Sequence, residues 1–85
     1  MQDTTNAVVE YYVSSLVHHK EADPEGLLAY ILEDRTSVQN YFFELWFAMS
    51  GGRPEDRGSA EARALRVQAA LLVDRLEEEI LHRRS

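Results

Sequence analysis

The segment TSVQNYFFELWFAMS, residues 36–50, is predicted to form a helix whose apolar side chains nearly encircle it. At about 100° per residue, six of these side chains fill a stripe roughly 140° wide. The six are Val38, Tyr41, Phe42, Leu45, Trp46 and Met49. Phe47 falls on the opposite side of the helix, and Phe43 lies between Phe47 and the stripe. One core cannot easily cover the stripe and both phenylalanines.

The back face that carries Phe43 and Phe47 needs a cover of its own, because a helix that is apolar all round is normally buried all round. We expect the cover to be a partner surface, either a second copy of the chain or another protein. The alternative is that the first or last helix of the same chain buries the two rings. Tyr41, Phe42 and Trp46 are expected in the core of the bundle.

Signals at both ends fix the extent of this helix. Thr36 followed three residues later by Gln39 matches a capping box. Gly51 and Gly52 can adopt the left-handed conformation that is common just past a helix end. The stretch GGRPEDRG that follows, residues 51–58, combines glycine, proline and charge without an apolar residue, and it is predicted to be an exposed, flexible connector.

Three further helices are predicted around the aromatic one. Apolar residues at spacings of one, three and four indicate the first. The sequence Asp23-Pro24 is a strong start signal for the second, and Ser59 is the predicted cap of the last. The fold class is therefore all-α, a single domain over residues 1–85. Its four helices are predicted near residues 4–20, 24–34, 37–50 and 59–83, with the last one longest.

The last helix carries two apolar stripes in its first half. One has the three-four spacing of a bundle seam and comprises Ala62, Leu65, Ala69, Leu72 and Leu76, widened by Val73 and Ile80. The other has smaller residues, which would let a neighbouring helix approach closely, and comprises Ala60, Ala64, Val67 and Leu71. The charged second half, from Asp74, is expected to project as an amphipathic arm. The predicted partner-binding residues are Phe43, Phe47, Trp46, Glu44, Val67 and Leu71.

Length and composition favour a small protein that gains support from association. Eighty-five residues bury only about 60 to 65% of the unfolded surface, and without cysteine no disulfide can compensate. Oligomerisation is the usual remaining support, so a homodimer is expected. No apolar run approaches the roughly 20 residues of a membrane span, and no export signal is visible. We therefore expect no membrane association and a cytoplasmic location.

The net charge of −6 is concentrated in the first fifty residues, which hold eight acidic and two basic side chains. Such a field repels nucleic acid phosphates, so direct binding of DNA or RNA is not expected. It allows attraction to a basic protein surface. The alternative is that the acidic residues only keep a small protein soluble.

The inventory of reactive groups does not predict an enzyme or a cofactor. No serine lies in a nucleophile-elbow context, and the absence of cysteine excludes a thiol nucleophile. Glu79-Ile80-Leu81-His82 resembles the Glu-x-x-His motif of ferritin-like di-iron bundles. The resemblance covers four residues, and a site would need a second motif and two more carboxylates, which a homodimer could supply with Glu10 or Glu44. A solvated charged face is the favoured interpretation, so no metal site is predicted.

The predicted function is noncatalytic protein binding by a small adaptor, regulator or inhibitor, acting as a homodimer. Its apolar helix face would make the contact, and the acidic first half would steer a basic protein partner. One alternative is an acidic nucleic-acid-mimicking inhibitor of a nucleic-acid-binding protein, of the phage anti-defence type. A second alternative is a metal-binding helical bundle that uses Glu79 and His82.

Overall fold

Four α-helices, arranged as a small bundle, make up the fold. The structure, a computed structural model, describes the backbone of residues 2–84 and the side chains of residues 5–84. The helices are α1 (Gln2–Val13), α2 (Pro24–Glu33), α3 (Arg35–Met49) and α4 (Ala60–Arg83). A π-helical segment, Ser14–His18, continues α1, and a 3-10 turn, Pro54–Asp56, lies between α3 and α4. The all-α prediction is confirmed, and α4 is the longest helix as expected. Met1 and Ser85, the ends of the predicted domain, lie outside the described residues.

Two of the predicted helix starts are confirmed by their hydrogen bonds. The Asp23 carboxylate accepts a hydrogen bond from the Gly26 backbone N–H at 3.1 Å, with Pro24 in the first helical position. The Ser59 hydroxyl accepts one from the Ala62 N–H, also at 3.1 Å. Each bond satisfies one of the donors left unpaired at a helix start.

The predicted start of α3 is wrong by two residues. Asp34, not Thr36, is the cap: its carboxylate accepts hydrogen bonds from the Ser37 backbone N–H at 3.1 Å and from the Ser37 hydroxyl at 2.6 Å. An ionised carboxylate is a strong acceptor at the positive end of a helix dipole. The α3 helix therefore begins at Arg35, directly after α2 ends at Glu33.

The first helical region begins and ends two residues earlier than predicted, and it is less regular. Regular α-helix ends at Val13, the π-helical segment ends at His18, and His19 is extended. Val9, Val13 and Val17 are nonetheless all buried, so both parts keep one face toward the core.

The α4 helix is the centre of the bundle. It packs against α1, α2 and α3, whereas α1 and α3 make little direct backbone contact with each other. The predicted seam is confirmed, since Leu65 is half-buried and the other six seam residues are buried. Packing three helices on one side of a central helix leaves the gap between α1 and α3 incompletely filled.

The second half of α4 does not project as an arm. Leu76 and Ile80 are buried in the core. Arg83 donates to the Val17 carbonyl at 2.5 Å, and Arg75 donates through Nε to Glu10 at 2.8 Å. The expectation of an arm is therefore wrong. The two apolar residues, one helical turn apart, pack into the core, and the arginines beside them bind α1 and the segment that follows it.

The connector folds back onto α3. Gly51 has a φ of 74°, in the left-handed region that glycine adopts without strain. The Asp56 carboxylate accepts from the Arg53 N–H at 3.2 Å and closes the 3-10 turn. The predicted exposure of the segment is confirmed for all but Gly52, which is half-buried, while its flexibility stays a prediction. Within residues 2–84, no helix is long and apolar enough to cross a membrane.

Candidate protein-binding groove

The core-facing side of α3 is rotated from the predicted one. Phe42, Phe43, Trp46 and Phe47 are all buried. Tyr41 and Met49, which belong to the stripe predicted to face the core, are 63% and 69% exposed. Val38 and Leu45, from the same stripe, are half-buried. The prediction of a core position is confirmed for Phe42 and Trp46 and is wrong for Tyr41. The incompletely covered side of α3 carries the rest of the stripe that was predicted to face the core.

Phe43 and Phe47 are not exposed contact residues, so the expectation of an open face at these rings is wrong. The two rings stack on each other with centroids 5.4 Å apart. The guanidinium of Arg66, from α4, lies 3.9 Å from the Phe43 ring centroid, and that of Arg57 lies 5.2 Å from the Phe47 centroid. Burial by the last helix, the alternative left open by the sequence, is what the structure shows. Trp46 is likewise buried, at 5% exposure.

The other predicted partner-binding residues lie outside this buried cluster. Glu44 accepts hydrogen bonds from both terminal nitrogens of Arg57, at 2.6 and 2.8 Å, and so fastens the connector to α3. Val67 and Leu71 are 60% and 42% exposed. No other element of the described chain is placed over their stripe. Their partner-binding role stays a prediction.

An apolar groove opens between the end of α1, α2 and the uncovered side of α3. Its volume is about 730 Å³, and none of its lining residues comes from α4. We use "the groove" for this surface, which is lined by Tyr12, Leu16, Leu27, Tyr30, Glu33, Asp34, Ser37, Val38, Tyr41, Phe42 and Leu45. It lies where α1 and α3 stand apart, so it follows directly from the central position of α4.

Aromatic rings form the base and the rim of the groove. Tyr12, half-buried, stands edge-on to Phe42, with ring centroids 6.2 Å apart, and to Trp46 at 5.3 Å. These contacts bridge α1 and α3 beneath the groove. At the rim, Tyr30 and Tyr41 expose 69% and 63% of their surface. The base is therefore fixed by packing, while the rim is free to contact another molecule.

The two charged residues in the lining of the groove are both acidic. Glu33 and Asp34 lie in its lining where α2 meets α3. Hydrogen bonds from the Ser37 hydroxyl and backbone N–H hold the pKa of Asp34 below its usual range, which keeps it ionised. A smaller hollow that shares Leu16 and Leu27 with the groove is lined by Glu21, Asp23 and His19. Among the described residues, no lysine or arginine lines either surface.

The Glu79 carboxylate faces a different histidine from the one the sequence motif suggested. His18 Nε2 lies 2.8 Å from Glu79 Oε2, and Arg75 Nη2 lies 3.7 Å from the other carboxylate oxygen. His82 is exposed. Across the described part of the chain, no group of three or more histidine, aspartate or glutamate side chains is arranged to hold a metal ion. The α1–α4 contact therefore uses Glu79 as a structural partner.

Sequence reasoning missed the groove because its walls come from three separate helices. Tyr30 and Leu16 carry no signal that distinguishes them from ordinary helix residues. The available signal was the width of the α3 stripe, which exceeds what one neighbouring helix can cover.

Comparison of the chain with protein families, curated proteins and solved structures finds no match.

Proposed function

We propose that this protein is a noncatalytic protein-binding module, a small adaptor, regulator or inhibitor of the cytoplasm, and that the groove is its binding surface. The observation that carries the proposal is the exposure of Tyr30 and Tyr41 above a packed aromatic base. Tyrosines are frequent energetic anchors of protein interfaces, because a large ring with two stiff torsions loses little entropy on binding.

The form of the groove supports a binding role. Its volume of about 730 Å³ is within the range of pockets that bury a ligand, roughly 300–1,000 Å³. Ser37, its one hydroxyl-bearing residue besides the tyrosines, donates to Asp34 in the α3 cap and so serves the fold. Recognition by burial of apolar surface is the role these side chains fit.

The alternative of a nucleic-acid mimic has less support. Glu10, Glu25 and Glu44 each bind an arginine of the same chain, at Arg75, Arg84 and Arg57. Such pairs neutralise the carboxylates that a mimic would have to present in a row to a basic groove. We therefore place recognition in the apolar groove rather than in a line of acidic residues.

Self-association is a second proposal, and it concerns α4. Val67 and Leu71 are exposed beside Ala60 and Ala64, which allow a second helix to approach closely. A second copy of α4 could pack along this stripe as a two-fold pair. Light scattering of the native protein and of Val67→Glu tests this: a native dimer mass that falls in the variant supports the homodimer, and a monomeric native protein contradicts it.

Photo-cross-linking tests the groove proposal. A benzophenone amino acid is placed at Tyr41 or Tyr30, with position Glu55 in the exposed 3-10 turn as the matched control. We expect the same protein adduct from both groove positions and none from Glu55. Adding Val38→Glu should remove the adducts while circular dichroism remains native. Adducts that are the same from all three positions, or absent from both groove positions, would contradict the proposal.

A further inference from the structure

We infer that the occupant of the groove is an amphipathic helix of another protein that places lysine or arginine side chains over Glu33 and Asp34. The inference rests on the proposed function, because it names the chemistry of the partner that the groove would bind. It draws on the spacing of the apolar wall and on the distribution of charge around it.

The α3 wall of the groove has the spacing of a helix-packing surface. Val38, Tyr41 and Leu45 follow each other at three and four residues, so their side chains form one row along α3. At 1.5 Å per residue, the row is about 10 Å long, or two helical turns. A second helix laid along it would insert apolar side chains spaced three, four and seven residues apart, the usual mode of helix recognition by a groove.

The charge around the groove is not neutralised from within the chain. Arg35, the basic residue next to Glu33 and Asp34 in the sequence, turns away from the groove to α4. Its Nη1 donates to the Asp74 carboxylate at 2.8 Å, and its Nη2 to Glu77. Neither Glu33 nor Asp34 forms an ion pair with a lysine or arginine of the described chain, so a partner with basic side chains at that end would gain a favourable interaction.

The same charges argue against a second copy of this chain as the occupant. A second copy that used its own groove would bring further acidic residues and no lysine or arginine, because Glu21, Asp23, Glu33 and Asp34 lie on the groove or on the hollow beside it. Like charges placed together across an interface disfavour association. A basic partner relieves this repulsion, so the groove and the α4 stripe are expected to have different occupants.

Two designed peptides provide the test. Each has about 18 residues, long enough to hold helical structure, with leucines spaced three and four apart. One carries lysines in its last turn, and its matched control carries glutamates there. We measure binding to the intact protein by fluorescence anisotropy of the labelled peptides. The lysine peptide should bind, the glutamate peptide should bind at least severalfold more weakly, and the difference should shrink in high salt.

Variants of the protein locate the interaction. Glu33→Gln should weaken binding of the lysine peptide about 2- to 5-fold, the usual effect of an exposed charge pair, and should leave the glutamate peptide unaffected or slightly tighter. Glu55→Gln removes an equal charge from the distant 3-10 turn and should change nothing. Tyr41→Glu should abolish binding; this position is 63% exposed, so the variant is expected to fold.

The results separate the inference from the proposed function. Equal binding of both peptides, abolished by Tyr41→Glu, would overturn the charge requirement and leave the groove as a binding site. Failure of both peptides, with a protein adduct still formed from Tyr41 and Tyr30, would overturn the helical partner but not the proposed function. A dimer that dissociates on Tyr41→Glu would overturn the inference by making a second copy the occupant.

Discussion

The two sides of α3 have similar composition and different surroundings. One side presents Phe43 and Phe47 to α4 and the connector, where both are buried. The other presents toward solvent Tyr41, which lines the groove, and Met49, which lies outside the groove lining, and both are mostly exposed. Both sides are aromatic or aliphatic, so hydropathy does not distinguish them. The difference arises from the position of α4, which can cover only one side of α3.

Arginines account for part of the difference. Arg66 and Arg57 place their guanidinium groups over the rings of Phe43 and Phe47. Such cation–π contacts contribute about 0.5–1 kcal/mol at exposed sites. The side facing the groove has no comparable cover among the described residues, since its charged neighbours are acidic. A long basic side chain can thus complete a core that the apolar residues alone would leave open.

The largest expected contrast comes from truncating one ring on each side of α3. Phe43→Ala should cost about 3–5 kcal/mol of unfolding free energy, because it leaves a cavity beneath α4. Tyr41→Ala should cost within about 0.5 kcal/mol, as for most exposed positions. Urea unfolding followed by circular dichroism measures both. If the alanine variant does not fold, Phe43→Leu replaces it, because leucine leaves a smaller cavity. Equal losses of unfolding free energy at Phe43 and Tyr41 would refute the assignment of the buried side.

The contact between the connector and Phe47 gives the next largest effect. A Cβ atom added at Gly52 would lie 2.6 Å from carbons of the Phe47 ring, whereas nothing lies within 4 Å of one added at Gly58. Gly52→Ala should therefore cost about 1–3 kcal/mol, as overpacking does. Gly58→Ala is the matched control and should have little effect. If thermal unfolding shows the same midpoint for both variants, the connector does not lie on Phe47.

The start of α3 separates the observed cap from the predicted one. Asp34→Ala should cost about 1 kcal/mol, the usual effect of losing a cap side chain. Thr36→Ala should be nearly neutral, because Thr36 is exposed and makes no side-chain hydrogen bond among the described residues. Chemical denaturation compares the two variants. The reverse order of effects would move the helix start back to Thr36 and change the orientation of the groove wall.

Acidification should produce the smallest effect. Arg57 holds the pKa of Glu44 below its usual range by hydrogen bonding, and Arg75 does the same for Glu10. Since the folded-state values are lowered, the stabilisation is fully present above the ordinary glutamate pKa of about 4.5 and is lost as the pH falls through the folded-state values.

Thermal midpoints measured between pH 7 and pH 3 should therefore fall below about pH 4.5. Glu44→Gln should flatten part of this fall, while Glu55→Gln in the 3-10 turn leaves it unchanged. Because the Glu44–Arg57 pair is partly exposed, the part of the fall that Glu44→Gln removes is expected to be smaller than the effect of Asp34→Ala. A midpoint that rises on acidification would contradict the role of these pairs.

Much of the fold could be predicted because its signals are local. Asp23 and Ser59 are residue types that cap helix starts, so they indicate where α2 and α4 begin. The apolar seam of α4 repeats over four helical turns, and the helix has no second apolar face of equal size. At α3 the prediction rested on the Thr36 capping box, but the carboxylate of Asp34, two residues earlier, is the stronger acceptor. The π-helical segment Ser14–His18 had no signal in the apolar spacing, since Val13 and Val17 remain four apart.

The sequence could predict that α3 has an incompletely covered apolar side, but not which residues form it. Helical spacing fixes the angles between Phe43, Phe47 and Tyr41 around the axis, but not which of them faces the neighbouring helix. That choice depends on where α4 lies, which is set by contacts between residues far apart in the sequence. The width of the apolar surface was enough to predict an incompletely covered side. The residues assigned to it, Phe43 and Phe47, were on the wrong side.

The lone tryptophan of this chain gives the gap between α1 and α3 an optical reporter. The Trp46 Nε1 atom is buried and has no hydrogen-bond partner among the described residues, and its ring abuts Tyr12 beneath the groove. An indole held away from water emits at shorter wavelengths than a hydrated one. Entry of water as α1 separates from α3 would shift its emission toward the red, so the opening of this gap can be followed in unlabelled protein.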